Sequence, residues 1–316
     1  MKYIKTISIL FIIYSCGGGG SSNSPLEVDN PSNQNPNVII ESCSNTNRTG
    51  MQKCDLKHDG LDRYYYIYRP ENLNTNISVP VLFALHGYGS SALTHLTYTN
   101  YFTLADTNNF IVIYPQGATT DSLSAHWNVG GWTSKSTVKD IEFIDTLIDL
   151  IKNKIEIDQT RIYSSGMSNG GYMSYSLACS RSNKIAAIAS VTGSMTPETY
   201  SDCNPDRPIS ILQIHGLQDL TVPYTGAPFS KTIPEVIEYW TNYNSCSLEP
   251  NRLIKYSNLS LINFDTYENC LNNTNVKLIL HGEMGHTWPF ISTHNISASD
   301  EVWNFVSQYN LSGKIN

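Results

Sequence analysis

The chain has 316 residues, 40% of them hydrophobic, which is enough for one large α/β domain or two small ones with a proper core. Only 15% are charged, and the net charge is -7. No basic face is available to hold a phosphate backbone, so nucleic acid is excluded as an expected partner.

Lys2 and Lys5 flank the start of an apolar run, ISILFIIYS, that is too short to span a bilayer as a mature helix. Together they read as a secretory signal over residues 1–15. Ser15 directly before Cys16 resembles a bacterial lipobox, in which the cysteine is lipidated after cleavage. The alternative is an ordinary signal with a chance cysteine. GGGGSSNS and NPSNQNPN then make a flexible tether over residues 16–42. More than one lipid chain would keep such a protein attached. The expected location is extracytoplasmic, either secreted or on an outer membrane or cell surface, with the anchor at Cys16 as the only membrane contact.

Six further cysteines, Cys43, Cys54, Cys179, Cys203, Cys246 and Cys270, form an even set in an exported chain, which implies disulfides. Six cysteines allow fifteen pairings. The sequence-local solution, Cys43–Cys54, Cys179–Cys203 and Cys246–Cys270, is the expected one. The spacings match no zinc signature, so no metal is expected.

From Arg63 onward, strands alternate with helices. RYYYIY reads as a strand. VPVLFALHGYG and FIVIYPQG are continuous apolar runs that stop at glycine turns, as buried parallel strands do. Val138, Ile141, Ile144, Ile148, Ile151 and Ile155 then recur at helical spacing, with Ser136 or Thr137 as the cap. RIYSSG is a strand, followed by a helix after Gly171. IAAIASV, ISILQIHG and VKLILHG are three more strands, and an amphipathic segment over 300–309 ends the domain. The alternation predicts an α/β fold with a mostly parallel central sheet flanked by helices, in a single catalytic domain over 43–316. Ligands bind such sheets beyond the carboxyl ends of the strands.

Gly166-Met167-Ser168-Asn169-Gly170 is a G-x-S-x-G motif. Alone it is weak evidence. Here it follows a strand and opens a helix, the context a nucleophile on a strained turn requires. A serine hydroxyl needs a base to take its proton, and the base needs a carboxylate to orient it. In the order Ser, acid, His, the loop after ISILQIHG supplies Asp219 and the loop after VKLILHG supplies His286. Asp202, Asp206 and Asp265 are rival acids, but none sits just past a clear apolar run. His215, His281 and His294 are rival bases, and His215 and His281 fit structural roles at strand ends. The tetrahedral intermediate needs two donors, expected from the backbone N–H groups of Asn169 and Tyr88. His86 is expected to shape the Tyr88 loop rather than take part in the chemistry.

LHGYGSSA, GMSNGGYMSYSLAC, HGLQDLTVPY and GHTWP resemble the polyhydroxybutyrate depolymerase-like esterases, a group that includes feruloyl and acetylxylan esterases of carbohydrate esterase family one. The resemblance runs from about Tyr64 to Tyr309. It implies an α/β-hydrolase fold, no metal and no organic cofactor. It also implies that Ser168, Asp219 and His286 occupy the triad positions. Relatives commonly carry WN…DD…F before the long helix; here Lys139 precedes Asp140, and Asp140 receives no catalytic role. Trp132 and Trp288 are candidates for the substrate pocket. For Trp132 packing is an equal alternative, while Trp288 is expected at the site because it follows His286 closely.

The expected function is an exported serine carboxylic-ester hydrolase working through an acyl-enzyme. Its substrates would be short-chain hydroxy-acid esters of the polyhydroxyalkanoate type, or feruloyl or acetyl esters of plant polysaccharide. The alternatives are a serine peptidase on the same fold and a non-catalytic surface lipoprotein that binds glycan or polyester.

Overall fold

A computed structural model describes residues 40–119, 124–257 and 260–315. Cys16, the signal over 1–15 and the tether up to residue 39 lie outside the described residues.

An eleven-stranded sheet organises the chain. Its middle is six parallel strands: β4 (Val79–Leu85), β5 (Ile111–Pro115), β6 (Ile157–Met167), β7 (Ala187–Val191), β8 (Ser210–Gly216) and β11 (Val276–His281). They lie in the order β5-β4-β6-β7-β8-β11. Every residue of β4, β5, β7 and β8 is buried. That is why β4 and β5 read as unbroken apolar runs, and β7 and β8 as nearly so: helices cover both faces, so neither face needs polar alternation.

Antiparallel strands flank this middle. β1 (Glu41–Asn45), β2 (Met51–His58) and β3 (Leu61–Tyr68) extend the sheet beyond β5; β10 (Ser260–Tyr267) and β9 (Asn251–Ser257) extend it beyond β11. β1 begins at Glu41, inside the segment read as tether. Pairing with β2 explains this, because Cys43 lies directly opposite Cys54.

α3 (Asp140–Lys152), α4 (Asn169–Ser180) and α6 (Ile233–Tyr243) cover one face, contributing Phe143, Leu147, Met173, Leu177, Val236 and Trp240 to its core. α1 (Ala92–Thr99), α2 (Tyr101–Asn108) and α8 (Ala298–Val306) cover the other with Leu96, Tyr101, Val302 and Phe305. Two short helices, α5 (Pro197–Asp202) and α7 (Ile291–His294), two 3-10 turns (Gly131–Thr133 and Leu271–Asn273) and a small hairpin of β12 (Tyr309–Asn310) with β13 (Gly313–Lys314) complete the described elements.

Two local expectations about α3 change. Neither Ser136 nor Thr137 caps it: the helix starts at Asp140 behind Lys139, with no side-chain cap. The carboxamide of Asn128 donates to the carbonyls of Ser136 and Val138 and holds that stretch out of the helix. Ile155 falls beyond the helix end, and Phe143 and Leu147 take core places that the isoleucine spacing did not name.

The structure joins Cys43 to Cys54, Cys179 to Cys203 and Cys246 to Cys270. The second ties the end of α4 to the end of α5, and the third ties the segment after α6 to the segment after β10.

Candidate active site

The loops beyond the carboxyl ends of β4, β6, β8 and β11 gather the candidate residues. After β6 the chain turns sharply at Ser168, whose backbone sits at φ 54°, ψ -122°. A non-glycine residue held at positive φ stores strain that the surroundings must enforce. They do so by close approach. A Cβ on Gly166 would overlap the backbone of Gly170, and one on Gly170 would overlap the Leu85 carbonyl. The Ser168 N–H donates to the Val191 carbonyl at 2.8 Å, and its own carbonyl accepts from Gly171 and Tyr172. α4 begins at the next residue, three positions earlier than a start after Gly171. Its positive end therefore faces the serine.

Asp219 lies in the loop after β8, buried. Its Oδ1 accepts from the N–H groups of Thr221 (2.9 Å) and Val222 (2.8 Å), and its Oδ2 lies 2.8 Å from Nδ1 of His286. Burial pushes its carboxyl pKa up, but the His286 and Val222 hydrogen bonds and the nearby imidazoles outweigh that and hold it below the ordinary carboxylate value. An ionised Asp219 can only accept, so His286 carries its proton on Nδ1 and presents the lone pair of Nε2. The His286 loop is drawn to this place by backbone bonds. Leu217 N–H donates to the His281 carbonyl and Gln218 N–H to that of Met284, and a Cβ on Gly216 would overlap the Met284 carbonyl.

The structure thus brings Asp219 and His286 into contact. Ser168 stands at the end of β6, with β8 two strands away and β11 three. Among the described residues, the Ser168 hydroxyl and Nε2 of His286 make no hydrogen bond; catalytic bonds commonly tighten only when substrate is bound.

The rival residues are engaged elsewhere. His215 Nε2 bonds the Val222 carbonyl at 2.9 Å and so braces the Asp219 loop. His281 Nε2 bonds the His294 carbonyl. Asp265 takes a two-pronged pair from Arg252, whose Nη2 lies 2.7 Å away. Asp140 forms a buried pair with Arg63 at 2.7 Å and accepts from the Asn128 N–H.

Both candidate oxyanion donors are open. Asn169 is the first residue of α4, so its N–H has no partner within the helix. The N–H of Tyr88 also has no partner among the described residues. His86 is buried, and its Nε2 accepts from the Gly117 N–H (2.9 Å). Its proton is therefore on Nδ1, which donates to the Gly87 carbonyl at 2.7 Å. In a trans peptide the C=O and the following N–H point opposite ways, so this bond also aims the Tyr88 N–H.

The two tryptophans separate. Trp132 is 39% exposed and sits edge-on to Tyr88 (5.2 Å) and Tyr172 (6.3 Å), beside the candidate donors. Trp288 is 3% exposed. Its indole N–H donates to Ser299, and its ring packs against His95, Tyr98 and Tyr101. This corrects the expectation for Trp288: its ring fills the layer behind Met167, which Tyr98 touches at 3.5 Å, and does not line an open pocket. Sequence reasoning missed Trp127, fully buried against His86 and Asn169. Its place in HWNVGG, next to Asn128, was the available signal.

Burial pushes the pKa of His86 and of His215 down to about 4. Unfolded, each ring binds a proton as the pH falls through about 6.5; folded, it resists until about 4. The unfolded state takes up protons first, so stability declines between those limits and is full above them. The expected loss by pH 5 is about 2 kcal/mol per ring. Urea unfolding at pH 7.5 and pH 5 checks this, and an unchanged midpoint would contradict it.

A family model described as phospholipase/carboxylesterase matches residues 75–249, more than half of the chain. A bifunctional acetylxylan esterase/xylanase of Neocallimastix patriciarum is 28% identical over 82% of this chain and 35% of its own length. Feruloyl esterase B of Piromyces equi is 27% identical over 77% of this chain and 44% of its own. A probable feruloyl esterase C of Aspergillus oryzae is 30% identical over 59% of this chain and 67% of its own. The chain thus spans less than half the length of the first two relatives. Among solved structures, an acetyl xylan esterase from Aspergillus awamori superposes with a TM-score of 0.56 at 16% identity, covering 75% of this chain and 93% of that one. An S-formylglutathione hydrolase from Agrobacterium tumefaciens gives 0.56 at 13% identity, over 85% and 98%. These likenesses show the α/β-hydrolase fold.

Proposed function

The chain belongs to the phospholipase/carboxylesterase family of α/β-hydrolases, and on that premise we propose that it is a serine carboxylic-ester hydrolase working through an acyl-enzyme. The observation that supports this reading is the 2.8 Å bond between Asp219 and His286, taken together with the strained backbone of Ser168 and the open N–H groups of Asn169 and Tyr88.

His286 Nε2 takes the proton of Ser168 as its Oγ attacks the ester carbonyl. The carbonyl oxygen becomes an anion and is held by the N–H groups of Asn169 and Tyr88 at the positive end of α4. Asp219 stabilises the imidazolium. The C–O bond breaks, and His286 returns the proton to the departing alcohol. Water then attacks the acyl-enzyme, His286 again serving as base, and the acid leaves with Ser168 restored.

The relatives' names point to feruloyl and acetyl esters of plant polysaccharide as substrates. The exposed rings of Tyr88 and Trp132 beside the second donor favour a planar aryl acyl group. Short hydroxy-acid esters are the other substrate class. Three disulfides suit an oxidising compartment outside the cytoplasm, and lipidation at Cys16 would hold the enzyme to a membrane. No metal or cofactor takes part in this scheme.

A substrate panel tests the reading: methyl ferulate, acetylated xylan, hydroxybutyrate oligomers, and an ester and amide sharing one acyl group. Ester turnover with methyl ferulate among the preferred substrates is expected. Equal turnover of the matched amide would favour a peptidase. No turnover of any ester would favour a binding protein.

A further inference from the structure

We propose that Trp127 is a positioning residue that locks the two oxyanion donors at a fixed separation; this rests on the esterase reading and adds a role for a residue that touches no substrate. Trp127 is fully buried in the loop between β5 and α3. Its main chain brackets the Asn169 carboxamide: the Trp127 N–H donates to Oδ1 at 2.7 Å, and its carbonyl accepts from Nδ2 at 3.1 Å. Its indole N–H reaches the other way and donates to the His86 carbonyl at 2.9 Å, while the ring lies 5.1 Å from that of His86. One residue therefore grips the first residue of α4 and the residue that aims the Tyr88 N–H.

The grip is anchored. The next residue, Asn128, donates its N–H to Oδ2 of Asp140 at 2.8 Å. Asp140 Oδ1 bonds Arg63 Nη2 at 2.7 Å, and the same nitrogen donates to the Gln116 carbonyl at 3.0 Å. The Gln116 carboxamide in turn contacts Nε2 of His86 at 3.1 Å. These bonds close a ring through His86, Trp127, Asn128, Asp140, Arg63 and Gln116, and Asn169 joins it at Trp127. The backbone bonds to Asn169 would survive a change of side chain; the indole donor to the His86 carbonyl is the part that requires tryptophan. Preorganised donors stabilise an oxyanion because they need not move when charge appears, and a misplacement of about 1 Å can cost on the order of 100-fold in rate.

Trp127→Phe keeps most of the ring and removes the indole donor. Assayed per active site titrated, kcat is expected to fall on the order of 10- to 100-fold, with KM within about threefold. Affinity for a trifluoromethyl ketone, which forms a tetrahedral adduct with an oxyanion, is expected to fall by the same factor. A merely structural tryptophan would lower the melting temperature or the active fraction without moving that affinity. Should Trp127→Phe not fold, Asn169→Ala, which empties the carboxamide bracket and spares the indole, carries the same two measurements. Unchanged kcat, or a fall in kcat without loss of adduct affinity, overturns the proposal. Ser168→Ala separates the two levels: near-wild-type activity after that change refutes Ser168 as the nucleophile on which the clamp rests, whereas loss of activity there beside a normal Trp127→Phe refutes the clamp alone.

Discussion

Ser168→Ala is expected to lower kcat toward p-nitrophenyl acetate by on the order of 10⁴- to 10⁶-fold, with KM changed by no more than a few-fold. The variant keeps the elbow, because alanine removes only the hydroxyl and Ser168 uses its backbone, not its side chain, in the bonds to Val191, Gly171 and Tyr172. Substrate still meets the two N–H donors, so residual catalysis above the water rate persists. Steady-state kinetics with an active-site-free control measures the drop. Near-wild-type hydrolysis would move the nucleophile to another residue.

Asp219→Asn has the second largest expected effect, and its sign follows from the bonds around the carboxylate. Thr221 and Val222 both donate N–H groups to Oδ1. The amide oxygen of asparagine must stay there, or two buried donors lose their acceptor. Its NH₂ group then faces His286 Nδ1, where only an acceptor is tolerated. The imidazole is forced to carry its proton on Nε2 and can no longer take one from Ser168. A loss of kcat on the order of 10⁴-fold is expected, with the melting temperature lowered only by loss of the charged bond. A variant retaining a tenth of wild-type kcat would show that Asp219 does not orient the base.

The parallel middle of the sheet was legible because burial on both faces leaves a plain mark. VPVLFAL and IVIYP are apolar from end to end, and SILQIHG is buried throughout although it carries Ser210, Gln213 and His215. The ends of RIYSSG, ISILQIHG and VKLILHG likewise mark the loops after β6, β8 and β11 that carry Ser168, Asp219 and His286. The antiparallel flanks gave no such mark. β9 reads NRLIKYS, with Leu253 and Tyr256 exposed at 56% and 80%. It is an edge strand, and neither alternation nor a buried run identifies it. Trp288 misled for a related reason. Nearness to His286 in sequence suggested the pocket, but Pro289 and the following turn into α7 carry its ring under the loop, where Ser299 satisfies its N–H. The role of Trp127 was hidden because it depends on the partners of its backbone, which only the fold supplies. The start of α3 was misread similarly, since the Asn128 carboxamide competes for the carbonyls of residues 136 and 138.

The central claim is that Ser168 is made nucleophilic by the imidazole Asp219 orients. Incubation with a fluorophosphonate followed by peptide mapping in the mass spectrometer tests it most directly. One adduct on the peptide containing Ser168, formed rapidly in the wild type and at least 100-fold more slowly after Asp219→Asn, is the result predicted here. An adduct on a different serine, or none on Ser168 in folded protein, would contradict it.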